Sequence, residues 1–196
     1  MLRINGQNNK VYKCDSSENY LCVPTVLECI IKSEGFSNIS RYDIANFFGV
    51  SLPEGVVYSE VTCYQTVDDN EKLGVTIKND SVNQLFSFFR IPLRESFVSL
   101  QCLERDFFPD YIYKVLLDGK HIICGYDYNT LYKINSEYIG HVSVVYSISD
   151  DLRHVCIIDP GPKGFGIKQI DLDSLYHAIY RARDGLWIIE KDSLNK

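Results

Sequence analysis

The chain has 196 residues, 45% of them hydrophobic and 23% charged, the profile of a globular domain long enough to bury a core without covalent staples. Its 20 Lys and Arg stand against 26 Asp and Glu, a formal charge of -6, which argues against a nucleic-acid partner or an anionic-membrane surface. Seven Cys is an odd number, so a complete disulfide framework is excluded. No apolar run approaches the roughly 18 residues of a membrane span, and residues 1–10 contain no apolar signal-peptide segment. The expectation is a single cytoplasmic domain over residues 1–196, without membrane insertion and with reduced thiols.

In chain order, the first 20 residues are polar and predict irregular structure. Residues 23–32 place Val26, Leu27, Ile30 and Ile31 at helical spacing, with Pro24 in the first turn and Gly35 as the stop. A second helix is predicted over 41–48, with Ser40 as N-cap, Asp43 three residues on and Gly49 at its end. Residues 56–65 and 73–78 have strand composition, and the polar stretch 68–71 between them predicts a hairpin. Ser81 with Gln84 is a capping-box pattern, opening a helix to Phe89 that Pro92 keeps short. Residues 97–102 read as a strand and 108–117 as a helix.

The last third is rich in strands: 121–126, 141–148, 154–159, 166–170 and 186–190, with a helix over 173–183. Asp150-Asp151 supplies a tight turn between the second and third of these strands. Helices early and antiparallel strands late predict an α+β fold, with N-terminal helices packed on a C-terminal sheet.

Two places have the residue types for chemistry. In Asn19-Tyr20-Leu21-Cys22-Val23-Pro24-Thr25, Cys22 falls at a helix start. Unpaired backbone N–H groups and a positive partial charge there favour a thiolate and an oxyanion. The alternative is an ordinary buried thiol. The second place is Gly140-His141, followed across the Asp150-Asp151 turn by Ile158-Asp159-Pro160. His141 is nine residues before Asp150 and Asp159 eight after Asp151, so a nearly symmetric hairpin brings imidazole and carboxylate together. A strand-end His and a turn Asp are the plainer alternative. Cys22, His141 and Asp159 together meet the needs of nucleophilic catalysis: a thiol, a base, and a group that orients the base.

These segments resemble the papain-like cysteine peptidases, and among them the bacterial group that cleaves leader peptides after double glycine. A similar pattern occurs in papain-like acyltransferases of the kind used in butirosin biosynthesis. The resemblance runs from Cys22 to Asp159. It implies a papain-like fold, Cys22 as nucleophile, His141 as base and then acid, Asp159 as orienting residue, and no metal or cofactor. The substrate it implies is a peptide or an acyl carrier. The peptidases usually carry a Gln six residues before the nucleophile as an oxyanion donor. Here that position is Ser16, and Asn19 is the nearest side-chain amide and the oxyanion candidate. The lost Gln leaves a catalytically inactive peptide-binding module as the alternative to an enzyme.

Other positions carry less. His121 is a rival base with no acid placed by spacing, and His154 and His177 read as surface residues. The glycine-rich stretch 161–166 opens no helix and reads as a turn. Cys29, Cys102, Cys124 and Cys156 have apolar surroundings and read as core; Cys14 and Cys63 are unassigned. The aromatic-rich segment 52–118 reads as core, or in part as the wall of a substrate cleft.

Overall fold

The apolar runs at 122–124, 142–145, 155–158 and 186–189 lack the alternation of a half-solvated strand. In a computed structural model, which describes residues 1–69, 73–77, 80–135 and 137–192, they lie in a sheet covered on both faces. The sheet has six strands, all antiparallel: β5 (Leu93–Ser99), β6 (His121–Asp127), β7 (Gly140–Ile148), β8 (His154–Asp159), β9 (Gly166–Asp171) and β10 (Gly185–Lys191). Their spatial order is β5-β10-β6-β7-β8-β9. Ile123, Val142, Val144, Trp187 and Ile189 point to one face, against α1 (Cys22–Ser33) and α3 (Ser81–Phe88). Ile122, Cys124, Val145, Ile157 and Ile188 point to the other, against α4 (Phe108–Leu117) and α6 (Leu172–Ala182). Each such side chain removed from water stabilises the fold by about 1.5–3 kcal/mol.

The α+β class therefore holds, and the layering is fuller than the sequence predicts. Helices cover both faces of the sheet, and its edge strand β5 comes from the middle of the chain. Helix α1 starts one residue before its predicted onset, at Cys22. Helix α2 (Arg41–Phe48) has the predicted bounds, and its capping box forms: the Ser40 hydroxyl accepts from the Asp43 N–H, and the Asp43 carboxylate accepts from the Ser40 N–H. The two helices are locked by Arg41, 7% exposed, whose Nε donates to Glu28 Oε2 at 3.0 Å and whose guanidinium also donates to the Ser16 carbonyl. That bond fixes the segment leading into Cys22.

Several expectations are corrected. The first 20 residues hold an antiparallel pair, β1 (Leu2–Asn5) and β2 (Val11–Cys14). Ile4, Tyr12 and Cys14 bury one face of it, a period-2 signal diluted by the polar loop between the strands. Of 56–65, only its last two residues become strand, in β4 (Tyr64–Thr66), which pairs in parallel with β3 (Val50–Leu52). No hairpin forms with 73–77, where Gly74 makes one bridge to Ser51; residues 70–72 and 78 lie outside the described set. Too few side chains there are buried to hold a long strand. The Ser81 capping box does not form, because Asp80, in the left-handed region at φ 64°, takes the N-cap and Ser81 is the first helical residue. The strand expected at 97–102 begins at Leu93 and yields to a helical turn at Leu100–Cys102, which leaves Cys102 exposed. A short helix, α5 (Tyr128–Tyr132), was not foreseen; Asp127 caps it by accepting from the Asn129 N–H.

Candidate active site

Cys22 is the first residue of α1, and no side chain caps that helix end. Pro24 removes one N–H, and Thr25 N–H is used by the Leu21 carbonyl at 3.0 Å. The N–H groups of Cys22 and Val23 open the helix, where the partial positive charge is greatest. The approach is bent sharply: Tyr20 has φ 67°, a costly conformation for a bulky residue. It is braced by Gly74, whose own φ is 93° and where a Cβ would sit 3.3 Å from the Tyr20 carbonyl.

His141 and Asp159 come from neighbouring strands, and their meeting depends on a β-bulge. Near the turn, Ser147 pairs with Cys156 and Ile148 with Val155; beyond the bulge at Tyr146, Val145 pairs with Ile157 and Val144 with Ile158. A one-residue slip exchanges the faces of a strand. Without the bulge Asp159 would oppose Val144, on the face away from His141. With it, the carboxylate lies diagonally beside the imidazole, and His141 Nε2 is 2.9 Å from Asp159 Oδ1. The bulge is paid for by Gln7, whose N–H donates to the Tyr146 carbonyl and whose Oε1 accepts from Ile148 N–H.

Asp159 is fully buried and held on both oxygens. Oδ1 also accepts from Gly161 N–H at 2.9 Å, and Oδ2 accepts from the Tyr132 hydroxyl at 3.1 Å. The Pro160 carbonyl accepts from Ser17 N–H at 2.7 Å, which ties this loop to the segment before Cys22. Tyr126 and Tyr128 meet the His141 ring edge-on, with centroids 5.6 and 5.3 Å away. Burial works against a charged imidazole, but the bond to Asp159 and a second interaction with Cys22 outweigh it and raise His141 to about 9. Since Asp159 takes Nε2, Nδ1 is left for the thiol. The structure thus brings Cys22, His141 and Asp159 to one place.

Asn19 is exposed and lines the same cleft as Cys22 and His141; its carbonyl accepts from the Tyr58 hydroxyl at 2.8 Å. Ser16 lies against the loop after Asp159, where a Cβ on Gly161 would be 3.3 Å from its Oγ. Sequence reasoning missed Tyr132 and the Gly161 N–H. The signal for Tyr132 was Asp127-Tyr128-Asn129-Thr130, a helix-cap pattern that opens α5. The cleft has a volume of about 620 Å³. Its walls are the 73–77 segment and residues 137–141, and its floor includes Val142 and Trp187. Of the described aromatic side chains in 52–118, Phe97 lines it; Phe86 and Phe108 are core. All seven cysteines are free; Cys14, Cys29 and Cys124 are buried and Cys63 is exposed. No helix among the described residues is long and apolar enough to cross a membrane.

No protein-family model matches the chain, and no curated protein matches it in sequence. A solved structure does match: the peptidase domain of Streptococcus ComA, a bi-functional ABC transporter involved in a quorum-sensing pathway. The likeness has a TM-score of 0.52 at 16% identity and covers 90% of this chain and 96% of that one. With its helices on a six-stranded antiparallel sheet, the chain has the α+β fold of that peptidase domain.

Proposed function

We propose that the chain is a cysteine peptidase working through Cys22, His141 and Asp159. The observation that carries this reading is the imidazole held between a buried carboxylate and a cysteine at an uncapped helix start. His141, charged through neutral pH, pairs with a Cys22 thiolate. The sulfur attacks the substrate carbonyl, and the oxyanion takes the Cys22 N–H, with Asn19 as its side-chain donor. His141 gives its proton to the leaving amine as the C–N bond breaks, leaving a thioester and a neutral imidazole. That imidazole then takes a proton from water as the water attacks the thioester, and the acid product and thiol are released. Asp159 keeps Nδ1 aimed at sulfur throughout and stabilises the imidazolium.

Alkylation by iodoacetamide near pH 6 tests this. An ordinary thiol, with pKa about 8.5, is only about 0.3% thiolate there. Cys22 is expected to label at least about 100-fold faster than exposed Cys63 and Cys102, and to lose that advantage in His141→Ala. Labelling of Cys22 no faster than Cys63 would overturn the reading.

A further inference from the structure

Apart from His141, the charged residues described in the cleft beside Cys22 are all acidic. Asp80, Glu95, Glu137 and Asp184 line it, and none of the described lining residues is Lys or Arg. Two of these carboxylates are built into the fold. Asp184 precedes β10 and lies over Gly125 of β6, where a Cβ would be 2.2 Å from its Oδ2, so only glycine leaves room for it. Gly125 pairs with Val142 of β7, next to His141, and Asp184 and His141 line the same cleft. The Asp184 backbone is pinned on both sides, N–H to Ile179 and carbonyl from Leu100, and its Oδ1 accepts from the adjacent Gly185 N–H at 2.8 Å. Glu95 is set by Asn83, whose side chain bonds both the Glu95 N–H and its carbonyl and also Asp80 Oδ1. One clamp thereby holds Asp80 and Glu95 side by side.

Desolvation raises both Asp184 and Glu95, with Asp80 adding to the rise at Glu95. A partly dry carboxylate is costly, and a cation placed between two of them recovers that cost. The rest of the cleft suits the carrier of such a cation: the Trp187 floor and the half-exposed Phe97 ring are apolar surfaces for an aliphatic stem.

We infer that the cleft selects a peptide carrying a Lys or Arg side chain close to the bond that meets Cys22, with Asp184 and the Asp80–Glu95 pair receiving the cation. This deepens the peptidase reading and rests on it for the position of the bond, but the cation preference has its own readout. Trp187 is the only tryptophan in the chain and lies at the cleft, so its fluorescence reports binding. The full chain carrying Cys22→Ala is titrated with short glycine peptides bearing one arginine, or one citrulline as its neutral isostere, at each position in turn. At one position or more, arginine is expected to bind at least tenfold tighter. The ratio is expected to fall below threefold in Asp184→Asn and to drop in Glu95→Gln, and to shrink with added salt. A ratio below twofold at every position, or one that survives both substitutions, would overturn the inference. Iodoacetamide labelling, run in parallel on the unsubstituted chain, separates the two readings. Fast labelling without an arginine preference removes the specificity alone, and slow labelling with the preference intact removes the peptidase and keeps the cation-binding cleft.

Discussion

The protein contains two histidines with little exposure, each with Nε2 2.9 Å from a carboxylate, and they are in opposite states. His141 faces Asp159 and is raised to about 9. His121 faces Glu34 and is lowered, because burial outweighs the carboxylate and Lys10 and Lys191 add to the effect. The other ring nitrogen makes the difference. Nδ1 of His121 accepts from the Tyr12 hydroxyl at 2.9 Å, and that hydroxyl accepts from Asn8 Nδ2 at 2.7 Å, so a neutral imidazole satisfies every partner. Nδ1 of His141 is left for Cys22. Helix α1 connects the two: its 12 residues, about 18 Å long, begin at Cys22 and end just before Glu34. A histidine–carboxylate pair is thus no mark of catalysis by itself. The thiol and the open cleft distinguish one centre from the other.

The comparison breaks most visibly on deletion. His121→Ala leaves the Glu34 carboxylate and the Tyr12 hydroxyl buried without their shared partner. Glu34 keeps Lys10 and Tyr12 keeps Asn8, so the cost is that of one charged and one neutral buried hydrogen bond, about 2–4 kcal/mol together. A urea midpoint well below that of the unsubstituted chain is expected, with the iodoacetamide rate of Cys22 within about twofold of its original value. If the rate falls with the midpoint, the two centres are coupled and His121 belongs to the site.

Stability against pH sharpens the contrast, because the two centres fail at opposite ends. Below about 6.5 an unfolded histidine is also protonated, so the contribution of His141 is fully present there and is lost as pH rises through about 9. It amounts to at most about 3 kcal/mol. Glu34 is lowered to about 2 by the His121 bond, against its own burial and with help from Lys10. Its contribution is present above about 4.5 and lost as pH falls toward 2. Urea unfolding of His141→Gln and Glu34→Gln across pH checks this. The first is expected to converge on the unsubstituted chain above about 9, the second as pH falls to about 2. Convergence on the same side would remove the assigned charge states.

What the sequence discloses depends on where the information lies. The core strands are legible because continuous apolar runs need burial on both faces, and the bounds of α2 are legible because its cap is local chemistry. His141 and Asp159 are legible as a hairpin pair, but the bulge at Tyr146 that puts them on one face is not. It depends on Gln7, over 130 residues away, supplying the missing hydrogen bonds. Glu34 is hidden as the partner of His121 for the same reason, since nothing local links the end of a helix to the start of a strand 87 residues on. The segment 56–77 misleads because β-branched and aromatic residues predict strands that lack the buried surface to hold them.

The smallest effect concerns Asp159, the proposed orienting residue. The Tyr132 hydroxyl is the donor to Asp159 Oδ2. It stabilises the carboxylate charge and so competes with the imidazolium for it. Tyr132→Phe removes one hydrogen bond to a buried charge, at a cost of about 1.5 kcal/mol, and leaves that oxygen's charge to the imidazolium. His141 is then expected to titrate at higher pH, read from its ring-proton NMR shift. Tyr128→Phe is the control: its hydroxyl bonds the Lys163 carbonyl at 3.3 Å, and its ring contact with His141 survives the change. A shift in the first variant and none in the second places the effect on the hydroxyl that meets Asp159. Equal behaviour would mean that aromatic packing alone holds the imidazole, with Asp159 oriented by Gly161.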